Sequence, residues 1–399
     1  MLIEISIGMK ILIMGVDGYI GFPLALRLLN RGHEVYGIDN FITRKRVANV
    51  NSDSALPILS FKERNARIKK YFGRNVKFFY GDATNPEFMY RAIEKSRPDA
   101  IVHLAEQRSA PYSMIGLKEA NETMVKNITS TMNLIYAVKD IVPKAHILKL
   151  GTMGEYGTPN IDIPEGFFEI EYHGRKDMLP FPKNASSWYH WTKVHDSNNL
   201  MFANRLWNLA ITDVMQGVVY GTKTKEIADT GLYTRFDIDE VYGTALNRFT
   251  AEAILGMPMT VYGKGGQTRG FLSLNDSIQC LTLALEKPPE SGEYRVINQF
   301  DEKYSVGQLA EMVQDIFKRE YGIVPDIGHV ENPRVEREEH YYNPEHRKLE
   351  ELGYRRTKNI EEEVIDAISD LSKFRERLNS LKETLMPRTF WRRSSYDYT

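Results

Sequence analysis

The feature that most constrains this chain is a glycine-spaced turn between a short apolar run and a helical pattern. Residues 11–14 are apolar, and Gly15, Gly18 and Gly21 follow them with two residues between each pair. Residues 21–31 then place apolar side chains at helical spacing. A strand that ends in glycines and opens a helix is typical of the first βαβ unit of a parallel sheet. The N–H groups at the start of such a helix can bind a phosphate, so the turn predicts a phosphate-bearing ligand.

The alternation of short apolar runs and helical patterns continues through the first half of the chain. Strand patterns lie at residues 11–14, 34–38, 77–80, 100–103, 146–150 and 211–215. Helical patterns lie between them, at residues 21–31, 87–95, 125–139 and 189–207. Six strands with interleaved helices predict an α/β fold built on a Rossmann-type doubly wound parallel sheet. Since ligands of such sheets bind at the carboxyl ends of the strands, functional residues are expected directly after each strand.

The strict alternation stops near Gly217, where stretches rich in glycine and proline mix with helical patterns. We therefore expect residues 9–215 to form the Rossmann domain, with long insertions at 41–74 and 154–187. Residues 216–386 are expected to form a smaller C-terminal α/β substrate-binding domain, parts of which return to the first domain. Residues 387–399 form a basic and aromatic tail.

An acidic residue closes the second predicted strand. Asp39 lies about 20 residues beyond the glycine turn, where a carboxylate can bind the ribose hydroxyls of a dinucleotide. A carboxylate would repel a 2′-phosphate, so NAD is favoured over NADP, although Arg44, Lys45 and Arg46 leave NADP open. Arg44 is expected to face the adenine or the substrate cleft. A glycine-rich turn without a ligand is the alternative.

A tyrosine and a lysine four residues apart follow the fifth predicted strand. That strand runs into Thr152, and Tyr189 and Lys193 lie at the start of a later helical pattern. Residues i and i+4 share one helical face, so the ammonium of Lys193 can lower the pKa of the Tyr189 phenol. With the Thr152 hydroxyl fixing a substrate alcohol, these groups predict a proton acceptor for alcohol oxidation. Alone, this spacing is also common on solvated helix faces.

The order of these motifs is similar to that of the extended short-chain dehydrogenases/reductases that modify nucleotide sugars. The resemblance implies a Rossmann domain that holds tightly bound, recycled NAD and a C-terminal region that holds the sugar nucleotide. Tyr189 and Lys193 would contact the cofactor as well as act in catalysis. The other implied cofactor contacts are Gly15, Asp17, Gly18, Tyr19, Ile20, Gly21, Asp39, Asn40, Arg44, Asp82, Ala83, Leu104, Arg108, Asn127 and Val219.

Longer segments resemble the members of that family that add sulfite to a nucleotide sugar. They are EQRSAPY at 106–112, GTMGEYGTPNIDI at 151–163, VYGKGGQTRG at 261–270, PRVE at 333–336 and EHYYN at 339–343. The resemblance implies UDP-glucose and sulfite as substrates. In such a reaction Tyr189 would remove the 4-hydroxyl proton as C4 is oxidised. Loss of the 6-hydroxyl would give a 4-keto-5,6-ene, sulfite would add at C6, and C4 would be reduced again.

The residues after Thr152 leave other reactions open. Related sugar 4,6-dehydratases carry an Asp-Glu acid/base pair there, whereas this chain has Met153 and Gly154. The departure disfavours a dehydratase but not a UDP-sugar 4-epimerase, which needs only Thr, Tyr, Lys and NAD. A non-catalytic nucleotide-binding regulator is disfavoured by the intact catalytic residues. Candidates for the middle proton transfers are Thr152, Met153, Glu155 and His190, with a packing or orienting role as the alternative for His190.

Arginines are expected to hold the anionic groups of the substrates, because the chain has almost no net charge to attract them. Arg108 follows the fourth predicted strand and is expected to contact sulfite or another active-site anion. The resemblance implies diphosphate contacts from Arg269 and Arg334, and it places Gln216 at the sugar or phosphate. The other expected substrate contacts are Thr152, Val261, Tyr262, Gly263 and Gln267; for Val261 and Tyr262 an ordinary core strand is the alternative.

Charge balance and cysteine content exclude several classes of function. Lys and Arg number 52 against 53 Asp and Glu, so no nucleic-acid or membrane partner is expected. The single cysteine, Cys280, can form no internal disulfide and offers no metal-ligand spacing. We therefore expect no metal site and a cytoplasmic location. The expected assembly is a homo-oligomer, either a dimer or a tetramer.

Overall fold

The computed structural model describes residues 8–392. The strands in this part of the chain are β1 (Lys10–Met14), β2 (Glu34–Asp39), β3 (Lys77–Tyr80), β4 (Ala100–His103), β5 (His146–Leu150), β6 (Phe167–Tyr172), β7 (Arg175–Pro180), β8 (Ile211–Gln216), β9 (Val218–Tyr220), β10 (Met259–Tyr262), β11 (Thr268–Ser273), β12 (Tyr294–Gln299), β13 (Glu302–Ser305) and β14 (Ile327–Val330).

The helices of the same residues are α1 (Gly21–Asn30), α2 (Ile42–Asn49), α3 (Phe61–Phe72), α4 (Pro86–Ser96), α5 (Ala110–Ser113), α6 (Leu117–Ile141), α7 (Trp188–Trp207), α8 (Lys225–Thr230), α9 (Ala245–Leu255), α10 (Leu274–Glu286), α11 (Val306–Tyr321), α12 (Arg347–Glu351), α13 (Ile360–Ser372) and α14 (Arg375–Leu381). Short 3₁₀ turns lie at Met153–Glu155 and Lys382–Thr384. None of these helices combines the length and apolar character that crossing a membrane requires.

Seven parallel strands form the central sheet, in the order β3-β2-β1-β4-β5-β8-β12. The six strands predicted from the sequence all lie in it, with ends that differ by at most one residue. The prediction of a Rossmann-type doubly wound sheet is therefore confirmed. The seventh strand, β12, comes from the second half of the chain and pairs with β8 at the edge of the sheet.

An apolar core covers each face of the sheet, because successive side chains of a strand point to opposite faces. Ile11 and Ile13 of β1 point to a core that includes α1 and α10. Leu12 and Met14 point to the opposite core, which includes α4, α6 and α7. This burial on both sides explains why the parallel strands read as continuous apolar runs in the sequence.

The second half of the chain builds another apolar core beside the carboxyl ends of the strands. α9, α11 and α13 pack there around Phe249, Leu309 and Val364, together with Val261 of β10. The domain boundary expected near residue 216 remains a prediction. β12 comes from the second half of the chain and belongs to the main sheet. Of the predicted tail, residues 393–399 lie outside the described part of the chain.

The insertion at 154–187 contains an antiparallel hairpin that no sequence pattern predicted. β6 pairs with β7 from Phe167–Pro180 to Tyr172–Arg175, and every residue of β7 is exposed. Five of the twelve strand residues are charged, and β7 (RKDMLP) lacks the alternating apolar pattern by which a half-buried strand is predicted.

Candidate active site

The glycine turn links β1 to α1 at the carboxyl edge of the sheet. Gly15 has a φ of +86°, and a Cβ on it would lie 2.8 Å from the carbonyl oxygen of Leu104. A Cβ on Gly21 would lie only 2.2 Å from the carbonyl oxygen of Gly15. Both positions therefore require glycine, for the backbone conformation at one and for the close approach at the other.

A cavity opens beside this turn and collects most of the predicted cofactor residues. Its lining includes ten of them: Gly15, Asp17, Gly18, Asp39, Asn40, Asp82, Ala83, Leu104, Arg108 and Asn127. Nine of them end or follow strands β1 to β4, and Asn127 lies in α6, so they meet at the edge where a doubly wound sheet binds its ligand. The structure thus brings these ten residues to one cavity, and their contacts with a cofactor remain proposals.

Asp39 at the end of β2 is held by backbone groups of its neighbours. Its carboxylate accepts hydrogen bonds from the N–H groups of Asp17, at 2.9 Å, and Phe41, at 2.7 Å. Burial, followed by the charge of Asp17, raises the pKa of Asp39 to about 6. A half-buried carboxylate with spare oxygen lone pairs beside the glycine turn fits the ribose hydroxyls of a dinucleotide.

Other predicted cofactor residues do not line this cavity. The guanidinium of Arg44 turns to Asp17, with its Nε 2.7 Å from the carboxylate, rather than to the adenine or the substrate cleft. Tyr19 donates its hydroxyl hydrogen to the carbonyl oxygen of Gly221 at 2.7 Å. Ile20 packs against the apolar core, and Val219 is buried in β9. Each of these four side chains is used in packing or pairing within the protein, and the expected cofactor contacts of these residues stay predictions.

Asn127 and Asp82 reach the cavity but use their side chains within the protein. Asn127 accepts from the N–H of Gln107 at 2.8 Å and donates to the Thr192 hydroxyl at 3.0 Å. It therefore ties the loop after β4 to α7. Asp82 accepts two hydrogen bonds from Thr84, through the backbone N–H and the hydroxyl.

Thr152, Tyr189 and Lys193 come from two adjacent elements. Thr152 follows β5 and accepts a hydrogen bond from the N–H of Gly154 at 3.1 Å. Ser187 caps α7 by accepting from the N–H of His190 at 3.2 Å, which places Tyr189 in the first helical turn. The ammonium of Lys193 lies 6.0 Å from the centre of the Tyr189 ring and donates to the carbonyl oxygen of Leu150 at 2.7 Å.

A buried glutamate that no motif had singled out sits beside this lysine. A carboxylate oxygen of Glu106 lies 2.6 Å from the Lys193 ammonium, and Glu106 also lines the cavity. Burial, the largest single effect, lowers the pKa of Lys193, but Glu106 together with Tyr189 and Asp196 raises it overall. For Tyr189, burial raises the pKa, Lys193 lowers it and Glu106 raises it again. The pKa of Tyr189 therefore depends on both the positive charge of Lys193 and the negative charge of Glu106.

Glu155, one of the candidate catalytic residues, is engaged by other side chains at both carboxylate oxygens. Its carboxylate is buried and lies 2.9 Å from the Lys149 ammonium and 2.7 Å from that of Lys183. It also accepts from the Ser197 hydroxyl at 2.8 Å. Burial acts to raise its pKa, but the two lysines hold the pKa of Glu155 well below its usual range. Both oxygens are occupied, so the group is structural.

His190 packs directly on the turn that follows Thr152. A Cβ on Gly154 would lie 2.5 Å from the His190 Nε2, so glycine makes room for the ring. Burial, and then the charges of Arg334 and Arg269, lower the pKa of His190 to about 3, which keeps it neutral at pH 7. Met153 is buried among apolar side chains and carries no transferable proton.

Apart from Arg108 and Thr152, the predicted substrate residues lie in the second half of the chain, and several already have partners. Arg108 bonds the carboxylate of Asp237, and Arg269 bonds that of Glu336. The guanidinium of Arg334 lies 6.0 Å from the Trp391 ring. Gln216 donates to Ser277 and Gln299, both at 2.9 Å, in place of the expected sugar or phosphate.

The turn after β10 carries the remaining predicted substrate contacts. Val261 and Tyr262 are buried in β10, and the Arg248 guanidinium lies 4.2 Å from the Tyr262 ring. Gly263 follows with a φ of +61°. Gln267 is buried, and its amide donates to the carbonyl oxygen of Tyr262 at 3.4 Å. This packing fits the core alternative for the strand.

Among residues 8–392, no group of three or more His, Cys, Asp or Glu side chains could hold a metal ion. Cys280 is buried in α10, where burial raises the pKa of its thiol.

Comparison with known proteins places this site in context. Residues 11–299 match the NAD dependent epimerase/dehydratase family. The chain is 53% identical to the UDP-sulfoquinovose synthase of Sulfolobus acidocaldarius, over 97% of this chain and 99% of that one. It is 44% identical to the chloroplastic UDP-sulfoquinovose synthase of Spinacia oleracea, over 96% of this chain and 79% of that one.

Solved structures support the fold. A UDP-glucose 4-epimerase from Thermotoga maritima, crystallised with UDP-glucose, superposes with a TM-score of 0.70 and 20% identity, over 92% of this chain and 99% of that one. At that identity the likeness concerns the fold alone. The chain belongs to the NAD dependent epimerase/dehydratase family and, within it, to the group of the UDP-sulfoquinovose synthases.

Proposed function

We propose that the protein converts UDP-glucose and sulfite to UDP-sulfoquinovose and water with the help of bound NAD. The observation that carries the proposal is the likeness to two UDP-sulfoquinovose synthases along almost the whole chain. The site agrees with it, because Tyr189 and Lys193 lie together on α7 and Lys193 bonds the end of β5, which leads to Thr152. Met153 and Gly154 stand where a dehydratase carries its acid/base pair. The net reaction replaces the 6-hydroxyl of glucose by a sulfonate and is redox-neutral.

The residues around the cavity fit NAD. The glycine turn, the N-terminus of α1 and the carboxylate of Asp39 would hold the diphosphate and the adenosine ribose. When bound, NAD supplies a reversible two-electron oxidant for the sugar C4. NAD, rather than NADP, fits best, because Arg44 is committed to Asp17 and leaves Asp39 to repel a 2′-phosphate.

Tyr189 would take and return the proton of the sugar 4-hydroxyl. Its buried phenol is a poor acid, and the Lys193 ammonium favours the phenolate form that accepts the proton. The Thr152 hydroxyl would hold the same sugar hydroxyl. Since the phenol keeps the proton within the site, it can give it back when the C4 alcohol is restored.

The middle steps require a proton to leave C5 and the 6-hydroxyl to depart as water. Glu155 and Met153 cannot supply these transfers, which leaves Thr152 and His190 among the original candidates. His190 is neutral at pH 7, and its Nδ1 lies 2.9 Å from the Ser187 hydroxyl. A neutral imidazole fixed by a hydroxyl at one nitrogen can exchange one proton at the other.

The test is to incubate the protein with UDP-glucose, with and without sulfite, and to identify the products by mass spectrometry. We expect a sulfonated nucleotide sugar only when sulfite is present, and none from Tyr189→Phe. UDP-galactose as the sole product would point to the epimerase alternative and would overturn the proposal.

We propose a homodimer formed through α6 and α7. Exposed apolar side chains cluster on these adjacent helices: Leu117, Val125, Tyr136, Trp188, Phe202 and Leu206. A surface of this kind is expected to pack against a copy of itself. Light scattering should give a dimer mass for the wild type and a monomer mass for Phe202→Glu, with Tyr71→Glu on α3 as the matched exposed control. A monomeric wild type would refute this assembly.

We also propose a cytoplasmic, reducing location. The support is compositional, since Cys280 is the single cysteine and no disulfide stabilises the chain.

A further inference from the structure

We propose that Arg235 binds the diphosphate of the dinucleotide, an assignment that rests on the NAD-dependent function proposed above. Arg235 lies in the long connection between α8 and α9, far from any sequence motif for cofactor binding. Its side chain is 2% exposed, and it lines the same cavity as Gly15, Gly18 and Asp39.

Hydrogen bonds fix the segment around Arg235 against the glycine turn. The hydroxyl of Thr234 donates to the carbonyl oxygen of Tyr19 at 3.0 Å, within the turn itself. The backbone of Phe236 bonds on both sides, with its N–H donating to the Ser54 hydroxyl and its carbonyl accepting from Ala55. The guanidinium is therefore held in place before any ligand binds, which lowers the entropy cost of using it.

One end of the guanidinium is paired and the other is not. Its Nε donates to both carboxylate oxygens of Asp237, at 3.0 and 2.9 Å. Its Nη2 is buried and has no hydrogen-bond partner within residues 8–392. Buried polar groups in folded proteins are nearly always satisfied, so an unsatisfied guanidinium nitrogen in a cavity wall points to a missing acceptor.

The surrounding charges favour an anionic acceptor. Asp237 is shared by Arg235 and Arg108, so two positive charges face one negative charge. The other carboxylates that act on Arg235 have arginines of their own: Asp53 pairs with Arg377, and Asp17 pairs with Arg44 and Arg64. A guanidinium with a spare donor, whose neighbouring carboxylates are already paired with arginines, is suited to phosphate oxygens.

The location distinguishes a diphosphate from sulfite, the other anion of the proposed reaction. Arg235 shares its cavity with Gly15, Asp17 and Gly18 of the glycine turn, which leads into the N-terminus of α1, and such a turn favours phosphate. Thr152 and Tyr189, where the sugar would react, are absent from this lining. Arg235 thus belongs with the cofactor rather than with the sulfite.

The experiment measures ligand binding by calorimetry on nucleotide-free protein, with ADP, NAD and adenosine as probes. Arg235→Gln is expected to weaken the binding of ADP and NAD by about tenfold, because one charge-assisted hydrogen bond is lost. The affinity for adenosine should change by less than about twofold. Arg235→Lys, which keeps the charge, should lie between the wild type and Arg235→Gln. Arg27→Gln is the control, since Arg27 also pairs with a buried glutamate, Glu226, but lies outside the cavity.

Three outcomes would overturn the assignment. ADP binding could be unchanged in Arg235→Gln, ADP and adenosine could weaken equally, as for a merely structural arginine, or only the KM for sulfite could rise. Binding and turnover also separate the two proposals. If the wild type makes UDP-galactose while Arg235→Gln still loses ADP selectively, the synthase function fails and the role of Arg235 stands.

Discussion

Glu155→Gln should destabilise the protein rather than disable its chemistry. The amide keeps the shape of the side chain but leaves the ammonium groups of Lys149 and Lys183 facing a neutral group. Lys149 keeps Asp213 at 3.2 Å, so one buried charge, that of Lys183, loses its compensation. Breaking a buried ion pair lowers the free energy of unfolding by about 3–5 kcal/mol. Because Lys149 keeps Asp213, we expect a loss at the lower end, about 3 kcal/mol. That is a large share of the roughly 5–15 kcal/mol that stabilises a typical protein.

The assay is urea unfolding at pH 7 followed by circular dichroism, beside kcat measured on folded protein. Because the pKa of Glu155 is held below its usual range, its contribution is present above the unfolded pKa of about 4.3 and is lost as the pH falls toward the folded value. The difference in the free energy of unfolding between the wild type and Glu155→Gln should therefore become smaller below about pH 4. Glu169→Gln, the same change in an exposed ion pair with Lys176, is the control. Unchanged stability with a kcat loss of more than about 100-fold would make Glu155 an acid/base residue and refute the argument.

Tyr189→Phe should lower turnover by at least about 100-fold while NAD remains bound, as read by mass spectrometry of product and of released cofactor; retained turnover would remove the tyrosine from its role. Glu106→Gln removes a charge that raises the pKa of Tyr189, so the acid limb of the pH–rate profile should move to lower pH, and an unmoved limb would contradict this coupling. Gly154→Ala should cost about 1–3 kcal/mol through its contact with His190 and lower kcat, whereas Gly328→Ala, whose nearest neighbour is 3.6 Å away, should do neither. Equal behaviour of the two alanine variants would mean that the ring has room to move.

Much of the sheet was predictable because central strands such as β1, β4 and β5 are buried on both faces. Apolar runs such as residues 11–14 and 146–150 then carry the strand signal by themselves. The sequence did not predict the seventh strand, Tyr294–Gln299, because the polar residues Arg295, Asn298 and Gln299 interrupt its apolar run. Polar side chains of this strand bond to β8 and its neighbours.

The site was predictable where residues are close in sequence, or where a motif fixes their order. The i, i+4 spacing of Tyr189 and Lys193 places both on one face of α7, as the structure has it. The ion pairs of Glu155 could not be predicted, because its partners, Lys149, Lys183 and Ser197, come from three separate parts of the chain. Arg235 offered no local signal at all, since its neighbours at the glycine turn lie more than 200 positions earlier in the chain.

The most direct measurement uses UDP-glucose labelled with carbon-13 at C6, together with sulfite, and follows the label by NMR. The proposed function predicts that the labelled carbon changes from a hydroxymethyl to a sulfonomethyl carbon, that the product keeps the glucose configuration at C4, and that Tyr189→Phe leaves the label unchanged. A label that stays hydroxymethyl in the wild type, with C4 inverted to the galactose configuration, would contradict the account.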